Sequence, residues 1–419
     1  LGTRDVYLSV TLAWLAAAIA GAVPYLLTGA LPRPVDAFFE SMSGFTTTGA
    51  SVFETRIDAQ PQGLVLWRSL TQWLGGVGFV VLVVAAAPTG GLSFQRVFSA
   101  EATGPTIERR TPHIGDTAKL LWASYLGLTF LGFLALLLVG MGAFDAVNHV
   151  FAAVSTGGFS SRPQSVAAFG SLPVELVLIA LMVLGATNFA LYVGVLARSG
   201  PYRPQLAEVA TLLAILAGAT IVVATSLFWA ANSPDFGSAL RLAAFQVVSL
   251  GTATGFTTAD LSGWNHFALV LMLFLVFVGG CAGSTAGGLK VIRVALLAQI
   301  AWQELRRQVQ PRRVAVLRLG GRVFPETMRG EVLAFLLLYL LVFVVASAGM
   351  AGLGVDFQSA LGTVAAALNT VGPSVGPTEY ADVPEAGRLL LSATMLVGRL
   401  EVLTVLVLLV PALWRQRPR

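Results

Sequence analysis

Four stretches decide how this chain folds: DAFFESMSGFTTTGA (36–50), DAVNHVFAAVSTGGF (145–159), DFGSALRLAAFQVVSLGTATGF (235–256) and DFQSALGTVAAALNTVGP (356–373). Each opens on Asp, continues through a short apolar run, and ends in a polar residue, two small or β-branched residues and a glycine. The aligned glycines are Gly49, Gly158, Gly255 and Gly372. The apolar runs are too short to cross a bilayer, which takes about 20 apolar residues, but long enough to enter one and turn back. Non-helical backbone at membrane depth has to be buried in protein or line a watery cavity. An extended stretch ending in Gly can aim several carbonyls the same way, because Gly adopts backbone angles that a Cβ disfavours. Converging carbonyls replace the hydration shell of a cation, and a short helix before them turns the negative end of its dipole towards it. The Asp at each start can cap free N–H groups. One such stretch alone reads equally well as a capped surface helix with a glycine turn. Four of them, each between two longer apolar segments, read as one unit repeated.

The longer segments run at about 5–27, 66–87, 117–140, 173–196, 208–231, 266–300, 331–352 and 388–413, which gives eight expected spans. Composition supports the bilayer as solvent: 56% of the 419 residues are hydrophobic and 11% charged, against about 25% charged in a soluble domain. The net charge of +5 does not point to nucleic acid, because the basic residues segregate. With residues 1–4 in the cytoplasm, the inside loops carry Arg96, Arg109, Arg110, Lys119, Arg198 and Arg203, then a run from Arg306 to Arg329, then Arg415, Arg417 and Arg419. That is the positive-inside bias. The opposite face holds Asp36, Glu54, Asp58, Asp145, Asp235, Asp260, Asp356, Glu379, Asp382 and Glu385, either ordinary solvated loop charge or a field that concentrates cations. The expected fold is all-α: four span, re-entrant helix, span units around one pore, divided at 1–110, 111–205, 206–325 and 326–419.

Two further features stand out. GGCAGSTAGG (279–288) interrupts the second span of the third unit with five glycines, each costing about 1 kcal/mol relative to Ala in a helix. It should unwind there and line a cavity, or else serve close helix packing. A phosphate loop is excluded, because Lys290 is followed by no Ser or Thr. Arg399 is expected near the middle of the last span, where a charge faces a cavity or a partner. Glu401 is two residues away and does not share its helix face. The lone Cys281 makes no intrachain disulfide. His113, His149 and His266 show no metal spacing, and no catalytic set emerges, so an enzyme is not expected.

The segments SGFTTTGAS (43–51), FAAVSTGGFS (151–160), GTATGFTTADL (251–261) and NTVGPSVGP (369–377) resemble the four filters of the Trk/Ktr/HKT superfamily of K⁺ transporters. QWLGGVGF (72–79), GATNFALY (185–192), GGCAGSTAGGLKVIR (279–293) and VGRLE (397–401) extend the resemblance over essentially the whole chain, which looks most like the bacterial Trk membrane subunit. The resemblance implies selective K⁺ uptake through a selectivity filter of Thr47, Thr48, Gly49, Thr156, Gly157, Gly158, Ala253, Thr254, Gly255, Thr370, Val371 and Gly372. Some plant relatives carry Ser at the first filter glycine and favour Na⁺; Gly at all four positions implies a K⁺ preference. It further implies an intramembrane gating loop centred on Gly283, Ser284 and Thr285 with Gly287, and Arg399 as an electrostatic barrier beside it. No cofactor is implied beyond the transported K⁺. The implied partners are membrane lipid, a second copy in a homodimer, and a cytosolic nucleotide-binding regulatory subunit docked on the basic inner face at 303–329. The implied location is the bacterial plasma (inner) membrane, with both ends of this chain cytoplasmic. Trk-type subunits carry an extra pair of spans before the first unit, and that pair is expected to be absent here. The alternative is a cation-coupled secondary carrier, a K⁺/Na⁺ or K⁺/H⁺ symporter, which also uses broken helices at the midplane.

Overall fold

A computed structural model of the chain describes residues 3–53, 56–78, 114–196, 203–311, 316–374 and 379–415. The expected inside charges Arg96, Arg109, Arg110, Arg198, Arg312, Arg313, Arg417 and Arg419, together with His113 and the 110/111 boundary, lie outside the described residues.

The described elements are helical apart from one tiny hairpin, Arg318–Leu319 paired with Arg322–Val323. Its turn is Gly320-Gly321, both at positive φ, as a tight two-residue hairpin requires. Among the described residues, four helices are long and apolar enough to cross a membrane: α1 (Thr3–Leu27), α4 (Ile114–Leu138), α8 (Arg203–Trp229) and α12 (Thr327–Gly352). Only 22–39% of the residues along their apolar windows are buried in the protein. Leu131, Leu337 and Val345 point outward, each more than half exposed. A helix that is apolar on its outward faces too needs an apolar surrounding, and the bilayer supplies it.

A short helix follows each of these: α2 (Pro34–Phe45), α5 (Ala143–Val154), α9 (Phe236–Gly251) and α13 (Phe357–Leu368). Unlike the long helices they are buried along most of their length, Ala365 and Val150 among the residues with almost no exposure. Asp235 and Asp356 cap α9 and α13, accepting from the N–H of Ser238 and Ser359. Hydrogen bonds from the Ser238 hydroxyl and N–H hold the Asp235 carboxyl below the usual carboxylate range. Asp36 and Asp145 depart from the expected cap. They sit inside the first turn, and they pair instead with Arg388 at 3.0 Å and Arg162 at 2.7 Å.

The helices that follow the second and fourth short ones correct the expectation of continuous spans. After the first such helix, α3 (Gln62–Gly76), the described residues end at Gly78. The second breaks into α6 (Leu172–Gly185) and α7 (Phe189–Leu196) at Ala186-Thr187-Asn188. The third divides into α10 (His266–Val276) and α11 (Val291–Val309) around the glycine-rich loop. The fourth runs as α14 (Glu385–Arg399), bends by 107°, and continues through α15 (Leu403–Leu406) and a 3-10 turn to Leu409. Only the third break was expected. The cause of the others lies in single residues: Asn188 accepts the N–H of Ala190 and starts α7 afresh, while Glu401 sits at φ 52°. Arg399 is accordingly the last residue of a helix, not the middle of one.

Packing runs in one cyclic order. Helix α3 lies against α5, α6 against α9, α10 against α13, and α14 against α2. The last of these contacts returns to the first short helix, so the order closes.

Candidate functional site

The four short helices end in the same way, residue for residue. The polar residue that opens each four-residue ending donates back one turn into its own helix. The Thr46 hydroxyl bonds to the Met42 carbonyl, Ser155 to Phe151 and Thr252 to Val248, and the Asn369 amide bonds to Ala365, all at 2.7 Å. The next residue is left-handed: Thr47 at φ 55°, Thr156 at 53°, Ala253 at 57° and Thr370 at 51°. Its N–H returns to the carbonyl three residues back, and the following N–H returns to the carbonyl five back, for example Thr47 to Gly44 and Thr48 to Ser43. This is a helix stop normally built on glycine. Here it is built four times without one, at a cost of roughly 1–3 kcal/mol per strained residue. Strain of this kind, repeated at one place in each unit, marks a functional site.

The fourth residue is the glycine, with φ of +83° at Gly49, +75° at Gly158, +90° at Gly255 and +90° at Gly372. Each faces the next unit. A Cβ at Gly49 would strike the carbonyl oxygen of Gly157, one at Gly158 that of Thr254, and one at Gly255 that of Val371. A Cβ at Gly372 would strike the Thr48 carbonyl and the Gly49 backbone, which completes the circuit. All four glycines line one open cavity, shared with Arg68, Arg162 and Tyr380. The Asp145 carboxylate raises Arg162 above the ordinary guanidinium range, so this arginine stays charged. The twelve residues expected at the filter are therefore brought together: glycines towards the cavity, Thr47, Thr156, Ala253 and Thr370 deeper and fully buried.

The loop 279–288 lies against the opposite end of this ring. The Thr285 hydroxyl is 3.3 Å from that of Thr156 and 3.1 Å from the carbonyls of Val154 and Gly185. Gly287 packs so closely that a Cβ would meet Asn369 and Thr370. The broken second helix holds the loop: Cys281 donates to the Ala186 carbonyl, and Phe189 donates to that of Gly283. Ser284 turns inward and donates to Cys281. Arg399 spans the gap, donating to the Thr285 carbonyl at 2.6 Å, the Thr47 hydroxyl at 3.0 Å and the Gly75 carbonyl at 2.7 Å. One guanidinium thus ties the loop, the first glycine-ended segment and two helices together.

Several site residues escaped the sequence. Glu40 and Arg68 form a buried ion pair at 2.7 Å behind the first segment, and Arg68 stacks over Phe159 at 4.0 Å. Arg293 pairs with Glu401 at 2.6 Å beneath the loop. The Tyr380 hydroxyl donates to the Gly372 carbonyl at 2.6 Å. Gln72 holds Gly157 and Phe159. None of these sits in a repeat of its own kind, so no periodicity announces it. A weaker signal was available. Gly75, Gly185 and Gly398 each abut the carbonyl at the end of a short helix, Phe45, Val154 and Leu368, within WLGG, LGAT and VGRL.

Comparison with known proteins adds to this geometry. The family model described as TrkH, cation transport protein, matches residues 1–416. A Trk system potassium uptake protein TrkH from Halomonas elongata is 40% identical over 99% of this chain and 87% of its own length. The protein of the same name from Escherichia coli is 38% identical over the same shares of the two chains, and Escherichia coli TrkG is 31% identical over 99% and 86%. The crystal structure of the potassium transporter TrkH from Vibrio parahaemolyticus superposes with a TM-score of 0.88 at 38% identity, covering 99% of this chain and 86% of that one.

Proposed function

The chain belongs to the TrkH family of cation transport proteins, and from that premise we propose that it takes up K⁺ across a cell membrane through one pore made of four pseudo-repeats. It is an integral membrane transporter and not an enzyme. The observation that carries the reading is the circuit of four left-handed glycines, each packed on the next segment's carbonyl and all lining one cavity. In the proposal the carbonyls of Thr47, Thr48, Thr156, Gly157, Ala253, Thr254, Thr370 and Val371, with those of the four glycines, coordinate the dehydrated ion. The four repeats are 1–110, 111–205, 206–325 and 326–419. The loop with Gly283, Ser284, Thr285 and Gly287 closes the inner end, and Arg399 locks it while opposing cation passage. The membrane is the bacterial inner membrane with both chain ends cytoplasmic. A second copy and a nucleotide-binding regulatory subunit complete the assembly, the latter on 303–329. There Trp302, Leu305, Arg306 and Arg318 are exposed.

The test is a planar-bilayer recording under opposed K⁺ and Na⁺ gradients. Unitary currents reversing near the K⁺ potential are expected. Saturable ion-coupled turnover with no unitary current would replace the pore by a secondary carrier.

A further inference from the structure

Gln72 lies in α3, within the first unit, yet its amide is spent entirely on the second. Its Nε2 donates to the Gly157 carbonyl at 2.6 Å, and its Oε1 accepts the Phe159 N–H at 3.0 Å. The side chain is fully buried. The two partners leave one amide orientation open, since a carbonyl can only accept and an N–H can only donate.

Gly157 occupies the position held by Thr48, Thr254 and Val371 in the other three segments. Its backbone does not need glycine, because it is absent from the residues at positive φ, as those three are. What excludes a side chain there is Gln72. The three nearest atoms to an added Cβ at Gly157 are all in the Gln72 amide. The Gln72 amide therefore fills the space that a side chain at Gly157 would take. The same amide nitrogen borders Gly49, so it sits at the seam where the first glycine meets the second carbonyl.

We infer that Gln72 is a selectivity-determining positioning residue: its amide fixes the Gly157 carbonyl at the seam between the first two segments, in place of the side chain that Gly157 lacks. This rests on the proposed filter. Gln72 acts through the carbonyl and does not itself bind the ion. In the fourth segment the bonded carbonyl is that of Gly372, which accepts from the Tyr380 hydroxyl. The four carbonyl positions are thus chemically unequal although the backbone repeats.

The inference predicts a reciprocal pair of substitutions. Gln72→Ala removes both hydrogen bonds and leaves a hole, and the K⁺/Na⁺ permeability ratio should fall about tenfold. Gly157→Thr introduces a side chain into the space the amide fills, and the ratio should fall by a similar factor. Together they should recover to within about threefold of wild type, because the introduced side chain would then occupy the vacated space as its counterparts do; non-additivity of this kind is the mark of direct coupling. Gln72→Met keeps the volume without donor or acceptor, is expected to insert normally, and should lower the ratio like Gln72→Ala. Ratios are measured in liposomes holding matched amounts of full-length protein, with Gly372→Ser as reference. If Gly372→Ser changes the ratio but Gln72→Met does not, the clamp is wrong and the filter stands. If the double variant is no better than the worse single, direct coupling is wrong. If Gly372→Ser also leaves the ratio unchanged, the filter reading itself falls.

Discussion

A hydroxymethyl group is all that Gly372→Ser adds, yet it meets two constraints at once. The backbone stands at φ +90°, and a Cβ would lie on the Thr48 carbonyl and the Gly49 backbone. Left-handed φ costs an L-residue roughly 1–2 kcal/mol, and the steric conflict pushes a neighbouring carbonyl away from its place. K⁺/Na⁺ discrimination should fall by about tenfold or more, one factor of ten for each 1.4 kcal/mol lost. Bi-ionic reversal potentials measure it, and unchanged potentials in Ser variants of all four glycines would remove the filter reading. Arg399 asks a second question at the same scale. In the proposed pore its hydrogen bonds keep the loop closed, and its charge opposes a cation there, by about 4 kcal/mol at 4 Å with an effective dielectric of 20. Both effects predict that Arg399→Gln raises rubidium flux several-fold per molecule in the membrane. Arg399→Lys should stay closer to wild type in charge but lose the fork of donors. Reduced flux from well-inserted Arg399→Gln would mean that the arginine supports the open pathway.

The broken helices belong to the scale of elements. Loop 279–288 touches the ends of the second and fourth short helices, and it is gripped by the Ala186–Asn188 break and by Arg399. Deleting 281–286 removes Thr285, and with it the contacts to Thr156 and Arg399, while leaving the glycine-ended segments their own helix-stop bonds. Flux should rise with the K⁺/Na⁺ ratio within about twofold of wild type, since the backbone bonds that end each short helix stay in place when the loop contacts to Thr156 and Arg399 are lost. A collapse of selectivity without a change in flux would take the gating role from the loop. The four short helices with their glycine endings, and the unwinding of this loop, were legible in the sequence because they rest on local properties: repetition, segment length and glycine density. The breaks at 186–188 and 400–402 were not. Asn188 and Glu401 stand there as polar residues in apolar surroundings, but that they stop the helix depends on tertiary partners. Asn188 has a loop to hold, and Glu401 has Arg293 to meet across the bundle. The same holds for Gln72 and the Glu40–Arg68 pair, whose partners lie 28 or more residues away in sequence. The four-residue endings, by contrast, were readable as a motif but not as strained backbone, because Thr in a left-handed position runs against its own preference.

At the scale of the molecule, the cyclic order has one joint that the chain does not bridge. Between successive stretches the polypeptide itself is the link, whereas among the described residues the fourth meets the first through side chains and helix packing. Helix α14 lies on α2 there, Tyr380 packs on Phe39 with ring centroids 5.6 Å apart, and Arg388 pairs with Asp36 at 3.0 Å. Arg388 is almost fully buried and also donates to the Ala381 carbonyl at 2.9 Å. Removing one partner of such a pair leaves a buried charge uncompensated, which costs roughly 3–5 kcal/mol. Arg388→Ala should therefore lower the melting temperature in detergent clearly. It should also lower the K⁺/Na⁺ ratio, because the same joint carries the Gly372-to-Thr48 contact. Arg388→Met with Asp36→Asn removes both charges while keeping most of the volume, and replacing a buried pair by neutral groups is often close to neutral in stability. The double variant should recover most of the melting temperature, measured by thermal size-exclusion profiles of purified full-length protein. Melting of Arg388→Ala at the wild-type temperature, with an unchanged ratio, would show that packing alone closes the ring and that the ion pair is incidental to it.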